Sequence, residues 1–151
     1  MGCKIHTTSE GIEVIGPAQL DGVEVSLRDQ PDLTPTLAAI APFARTPVVI
    51  RDVAFIRHHE TDRLHALATE LARLGACVRE LDDGLVIEPS ELRAATIATY
   101  DDHRMAMAFA VTGLRVPGIT LENPGCVAKT FPGFFEQFAA ITGDAPAPPP
   151  Q

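Results

Sequence analysis

The chain has 151 residues, 46% of them hydrophobic and 21% charged, which suits a packed domain rather than a disordered chain. Its formal net charge of −8 argues against a basic nucleic-acid-binding surface, yet leaves room for a small anionic ligand held by a few focused cations. Cys3, Cys77 and Cys126 have neither zinc-site spacing nor the even count of a disulfide framework, so reduced thiols in a cytoplasmic protein are expected. No apolar run reaches membrane-spanning length, and Met1–His6 lacks the apolar core of a signal peptide.

Short alternating segments open the chain: residues 3–7, 11–16 and 23–27, each bounded by Gly or Asp, predict strands. Pro35 suits the first turn of a helix over 36–44, and Val48-Val49-Ile50 reads as a short buried strand. Leu64, Leu67, Ala68, Leu71 and Leu74 have helical spacing, with Gly75 as the stop. Residues 77–81 and 85–87 flank Asp82-Asp83-Gly84 and predict a hairpin. The plan then repeats: a strand over 94–99, a helix from Asp102 through Leu114, a strand over 119–121 and a last helix over 131–141, with Pro132 at an early helical position. Asp32 and Glu60 are 28 residues apart, as are Asp102 and Thr130. The expected fold class is α/β (α+β), with two repeated units at about 1–75 and 76–143. The proline-rich end, 144–151, is expected to be a disordered tail.

Three segments carry chemistry. Arg57-His58-His59-Glu60-Thr61-Asp62-Arg63 is dense in charge at a strand-to-helix junction, where functional groups sit on a rigid frame. The helix dipole would favour an ionised Glu60, and the bland alternative is a solvated first turn. A metal site from His58, His59 and Glu60 carries little weight, because adjacent loop histidines rarely point at one ion. Tyr100-Asp101-Asp102-His103-Arg104 precedes a helix that is nearly all apolar and therefore buried. Its N-terminus is a candidate anion site with Arg104 as a fork of donors; simple capping by Asp101 or Asp102, with Arg104 paired to one of them, is the alternative. Lys129 stands in a loop just before the last helix, and Cys126 reads as a spectator thiol.

Together, Pro31-Asp32, His59-Glu60-Thr61-Asp62-Arg63-Leu64, Asp102-His103-Arg104-Met105-Ala106-Met107 and Lys129-Thr130-Phe131-Pro132 resemble the 5-enolpyruvylshikimate-3-phosphate synthase family from Met1 to about Ile141. The resemblance implies an enolpyruvyl transferase fold, an inside-out α/β barrel of repeated units, present here as a partial domain. It implies transfer of enolpyruvyl from phosphoenolpyruvate to the 5-hydroxyl of shikimate 3-phosphate in aromatic amino-acid biosynthesis, through a tetrahedral intermediate, with no metal or organic cofactor. Asp32 then looks like the proton-accepting carboxylate that also touches shikimate 3-phosphate, and Glu60 like its acid–base partner. Arg63, Arg104 and Lys129 look like the phosphoenolpyruvate clamp. His59 stands where many members carry Lys, and Phe55 where many carry Asn, so the Asn role is not carried over. The family's second domain and part of this one have no counterpart here, so the missing N-terminal portion is the implied partner and the chain alone is expected to be inactive. A non-catalytic remnant or interaction module is the alternative. The related transferase acting on a nucleotide sugar lacks the Asp102–Met107 run and is disfavoured.

Overall fold

A computed structural model describes residues 1–143; the expected disordered tail lies outside them. The first strands, β1 (Lys4–Thr7) and β2 (Ile12–Ile15), form an antiparallel hairpin with Ile5 opposite Val14 and Thr7 opposite Ile12. Alternation puts Ile5, Thr7, Ile12 and Val14 on one face. Ile5, Ile12 and Val14 are 67%, 71% and 61% exposed, so that face lies bare among the described residues.

The central layer comes next. β3 (Glu24–Ser26) leads through a 3₁₀ turn at Pro31–Leu33 into α1 (Thr34–Ile40), with Pro35 in its first turn, and then into β4 (Val48–Arg51). A second 3₁₀ segment, Ala54–His58, precedes α2 (Arg63–Arg73), and the hairpin β5 (Val78–Glu80) and β6 (Leu85–Ile87) follows. The sheet order is β3-β4-β6-β5, parallel between β3 and β4 and antiparallel elsewhere. β6 lies inside this sheet, and its three residues are all buried. Gly84 is required where the hairpin meets β4, because a Cβ there would overlap the Ile50 carbonyl oxygen.

Helix α2 buries Leu64, Leu67 and Leu71, as the spacing predicts. It ends at Gly75, whose φ of 95° is left-handed. The Ala76 N–H returns to the Leu71 carbonyl and the Gly75 N–H to that of Ala72, the Schellman arrangement that closes a helix end. The chain continues through β7 (Thr96–Ile97), α3 (His103–Gly113), β8 (Thr120–Leu121), a 3₁₀ segment at Pro124–Lys129 and α4 (Phe134–Thr142). β7 and β8 pair in parallel. α3 packs on α1, and Met105 and Phe109 join the core with Ala38 and Ala41.

Three expectations need correction. The strand expected over 94–99 shrinks to two residues: its ladder with β8 rests on Ala95 and Ile97, and the chain turns at Thr99–Asp102 directly after. Pro132 is not helical: the 3₁₀ segment closes first, Gly133 is the N-cap, and α4 starts at Phe134. α3 is not buried all round, since Met107, Ala110 and Val111 remain partly exposed.

The spacing of elements recurs. Eight residues, 16–23, lie between β2 and β3, and eight, 88–95, between β6 and β7. Both stretches read Ile, any residue, Pro, two residues, Leu: Ile15 to Leu20 and Ile87 to Leu92. The expected unit boundary near residue 75 falls between α2 and a hairpin whose β6 strand pairs with β4.

Candidate active site

Four segments converge at one end of the core. Asp32 comes from the 3₁₀ turn before α1, His59 and Glu60 from the loop before α2, and Arg63 from the first residue of α2. His103 and Arg104 open α3, and Lys129 and Thr130 end the last 3₁₀ segment. Together these residues line an open cavity of about 520 Å³. It thus gathers all six expected site residues: Asp32, His59, Glu60, Arg63, Arg104 and Lys129. A larger groove of about 970 Å³, lined by Leu20, Ile40, Phe43, Val111 and Leu114 among others, contains none of them.

Local structure fixes each segment. Asp62 is the N-cap of α2 and accepts from the His65 N–H at 3.0 Å. Arg57 holds Asp62 at 3.0 Å, Glu80 at 2.5 Å and the Leu81 carbonyl at 2.8 Å, so the loop carrying His59 and Glu60 is bolted to the β5–β6 hairpin. Burial alone would lower the Arg57 pKa, but Glu80 and Asp62 outweigh it and hold the pKa above the ordinary value. Asp102 caps α3, accepting from the Arg104 N–H at 2.8 Å. The N-terminus of α3 is occupied by the chain's own carboxylate, and Arg104 pairs with Asp32 at 2.8 Å rather than with Asp101 or Asp102.

Arg63 is the hub. Its side chain is 1% exposed, and all five of its N–H donors have acceptors nearby. Nε donates to Asp102 Oδ2 at 2.7 Å, Nη1 lies 3.0 Å from Asp32 Oδ1 and 3.1 Å from His59 Nδ1, and Nη2 lies 2.8 Å from Glu60 Oε2 and 3.3 Å from Asp102 Oδ1. Burial opposes its charge, but pairing with Asp102 and Glu60 more than restores it, and its pKa is raised. In this state Arg63 has no spare donor for an external anion. It bridges the two carboxylates instead, with Asp32 on one nitrogen and Glu60 on the other.

Glu60 is held by a second cation, with Lys129 Nζ 3.0 Å from its Oε1. That hydrogen bond, then its own backbone N–H and the charge of Arg63, pull the Glu60 pKa down to about 2. The expectation that the helix end sets this ionisation is corrected: α2 begins three residues later, and Lys129 dominates. His59 touches Arg63 and stands edge-on to the half-exposed Phe55, with ring centroids 6.0 Å apart. Among the described residues, no group of three His, Cys, Asp or Glu is placed to hold a metal ion, so His58, His59 and Glu60 form no such cluster. The cysteines are free, with Cys3 and Cys77 exposed.

Sequence reasoning missed two members. Asp102 is 0% exposed and is the main anchor of Arg63, although it stood out only as a cap. His103 is 3% exposed, lines the cavity and leaves Nδ1 without a hydrogen-bond partner, the nearest acidic oxygen being Asp102 Oδ1 at 3.9 Å. A polar residue opening an apolar helix was the available signal.

The fold is that of the enolpyruvyl transferases. It superposes on the enolpyruvyl transferase NikO from Streptomyces tendae with a TM-score of 0.73 at 22% identity, covering 93% of this chain and 32% of that one. A solved EPSP synthase from Acinetobacter baumannii gives a TM-score of 0.77 at 29% identity, covering 87% of this chain and 32% of the other. The 3-phosphoshikimate 1-carboxyvinyltransferase of Trichormus variabilis is 54% identical over 143 residues, which is 95% of this chain and 34% of the relative. The sequence profile of EPSP synthase (3-phosphoshikimate 1-carboxyvinyltransferase) matches residues 1–138, and the chain belongs to that family. It spans about a third of the length of the curated relatives it matches.

Proposed function

We propose that this chain supplies one wall of an active site that transfers the enolpyruvyl group of phosphoenolpyruvate to the 5-hydroxyl of shikimate 3-phosphate, releasing phosphate, when joined to the remaining two thirds of the enzyme. One observation carries the reading. Six residues scattered from position 32 to 129 surround a single cavity and pair acids with cations there. The reaction needs a base for the hydroxyl proton, an acid for the methylene carbon, and cations for carboxylate and phosphate. In this reading Asp32 accepts the proton and touches shikimate 3-phosphate together with His59. Glu60 delivers a proton to the methylene carbon and later removes one from the resulting methyl group. Arg104 and Lys129 hold phosphoenolpyruvate, and Arg63 joins them once Asp32 or Glu60 releases one of its nitrogens.

The geometry adds a condition. Glu60 stays ionised while Lys129 grips it, so it gains a proton only once the substrate anion draws Lys129 away. Binding energy and proton loading are then linked, and the acid is armed only in the loaded site.

The missing portion of the enzyme belongs to the same proposal as partner, and the bare face of β1–β2 is a natural place for it to cover. So do the two expected units, about 1–75 and 76–143. Pairing of β6 with β4 argues for moving their boundary past Ile87, with β1–β2 as the counterpart of β5–β6. A cytoplasmic location, without nucleic-acid or membrane partners, completes the reading; no helix among the described residues is long and apolar enough to cross a membrane. The test is kinetic, in a full-length enzyme carrying this chain as its C-terminal third. Glu60→Gln is expected to lower turnover roughly 10²–10⁴-fold, and Lys129→Ala and Arg104→Ala to raise KM for phosphoenolpyruvate as well. Unchanged turnover for Glu60→Gln removes its acid–base role.

A further inference from the structure

The site rests on a junction of unusual backbone. Of the four non-glycine residues with positive φ among those described, three meet here: Tyr100 at 55°, Asp101 at 53° and Asn123 at 44°. Left-handed backbone is disfavoured for residues with a Cβ and persists only where the surroundings impose it. The Tyr100–Asp101 turn, closed by the Asp102 N–H to the Thr99 carbonyl at 2.9 Å, delivers Asp102, His103 and Arg104 to the cavity. Asn123 bonds the Asp101 carboxylate through its side-chain amide and begins the 3₁₀ segment that ends in Lys129. Placement of Asp102, Arg104 and Lys129 therefore depends on what holds this junction.

The holder is a residue with no part in the chemistry proposed above. Glu70, on α2, is 0% exposed. Its Oε1 accepts from the Tyr100 hydroxyl at 2.8 Å, and its Oε2 from the Ala98 N–H at 3.2 Å and from Arg73 Nε at 3.1 Å. A buried carboxylate is costly unless so satisfied, and a helix tie of this kind could be made more cheaply by apolar contact. Its position gives the reason. Glu70 lies seven residues, two helical turns, after Arg63, so the two share one face of α2. Arg63 takes the Asp102 end of the junction, and Glu70 takes the Ala98–Tyr100 end. One rigid helix thus grips the turn at both ends.

We infer that Glu70 is a positioning residue of the site: through Tyr100 and the Ala98 N–H it sets the turn that aligns Asp102 with Arg63, and hence the anion-holding cations. This rests on the anion-site reading above. Tyr100 is the only tyrosine and tryptophan is absent, so tyrosinate absorbance reports this residue alone. Burial, then the Glu70 hydrogen bond, push the Tyr100 hydroxyl up to about 12.

The test uses the 151-residue chain, with Glu70→Gln, Glu70→Ala and Tyr100→Phe. Glu70→Gln keeps the shape and one acceptor but loses the charge. It is expected to bring the tyrosine midpoint down from about 12 toward 10.0 while keeping the protected Arg63 Nε–H resonance and the affinity for phosphoenolpyruvate. Glu70→Ala is expected to lose the Arg63 resonance and to weaken phosphoenolpyruvate binding on the order of tenfold, as misplaced binding groups do. A folded Glu70→Ala chain with the wild-type Arg63 resonance and affinity makes Glu70 a mere tether and overturns the inference. Should that variant fail to fold, Tyr100→Phe decides: a shifted Arg63 resonance supports the inference, and an unchanged one overturns it. If wild type binds phosphoenolpyruvate neither alone nor with the remaining two thirds of the enzyme added, the anion-site reading fails, while the Arg63 resonance still decides whether Glu70 positions it.

Discussion

Replacing Asp102 by Asn isolates the strongest interaction in the site. Asn caps a helix about as well as Asp, so the bond to the Arg104 N–H survives and α3 keeps its start. What is lost is the charge facing Arg63, in a pair whose side chains are 1% and 0% exposed. Breaking a buried ion pair from one side typically costs about 3–5 kcal/mol, because the other charge stays buried. Arg63 retains Glu60 and Asp32, which are 28% and 50% exposed and compensate in part, so the low end, about 3 kcal/mol, is expected. With a urea slope of about 1.5–2 kcal/mol per molar for a chain of this size, the unfolding midpoint should fall by about 1.5–2 M. Far-ultraviolet circular dichroism in urea measures this directly. Combining Asp102→Asn with Arg63→Met removes the orphaned charge and should recover part of the loss. A midpoint within about 0.5 M of wild type for the single variant would mean that solvent reaches Arg63, and the hub argument would fail.

Two further outcomes follow from the structure. The Glu60 side-chain carbon should titrate near 2 rather than at the ordinary 4.5 by NMR, and Lys129→Ala should move it most of the way back. Because the folded pKa is the lower one, this contribution to stability is complete above 4.5 and is lost as pH falls toward 2; a midpoint near 4.5 in wild type denies the Lys129 contact. Leu67→Ala, at a fully buried position on α2, should cost about 3 kcal/mol of unfolding free energy, and a loss under 1 kcal/mol would place α2 outside the core.

Local patterns carried much of the fold. Leucine spacing marked α2, Gly75 marked its end, and Asp82-Asp83-Gly84 marked the hairpin, because each depends on neighbours in sequence. The short strand at Thr96–Ile97 was overestimated because its length is set by pairing with the two-residue β8, 24 residues away. Pro132 misled because α4 starts two residues after it, at Phe134 with Gly133 as the N-cap, so this proline precedes the first turn instead of opening it. The site appeared in sequence as three charged segments, each with a bland alternative, and only their combined resemblance joined them. Which cation meets which acid was not legible: Arg63 and Asp102 are 39 residues apart, Glu60 and Lys129 69. Glu70 gave no functional signal in the sequence, because the groups it holds, the Ala98 N–H and the Tyr100 hydroxyl, are 28 and 30 residues away.

The central claim is that these residues form one wall of a site that works only when the other wall closes over it, since closure supplies proximity and excludes water. The most direct measurement is phosphate release from phosphoenolpyruvate in the presence of shikimate 3-phosphate, with the purified chain alone and with the missing two thirds of the enzyme added separately. The expected result is no turnover from the chain alone and turnover on mixing, abolished by Glu60→Gln in this chain. Turnover by the 151 residues alone, or turnover on mixing that Glu60→Gln leaves intact, contradicts the account.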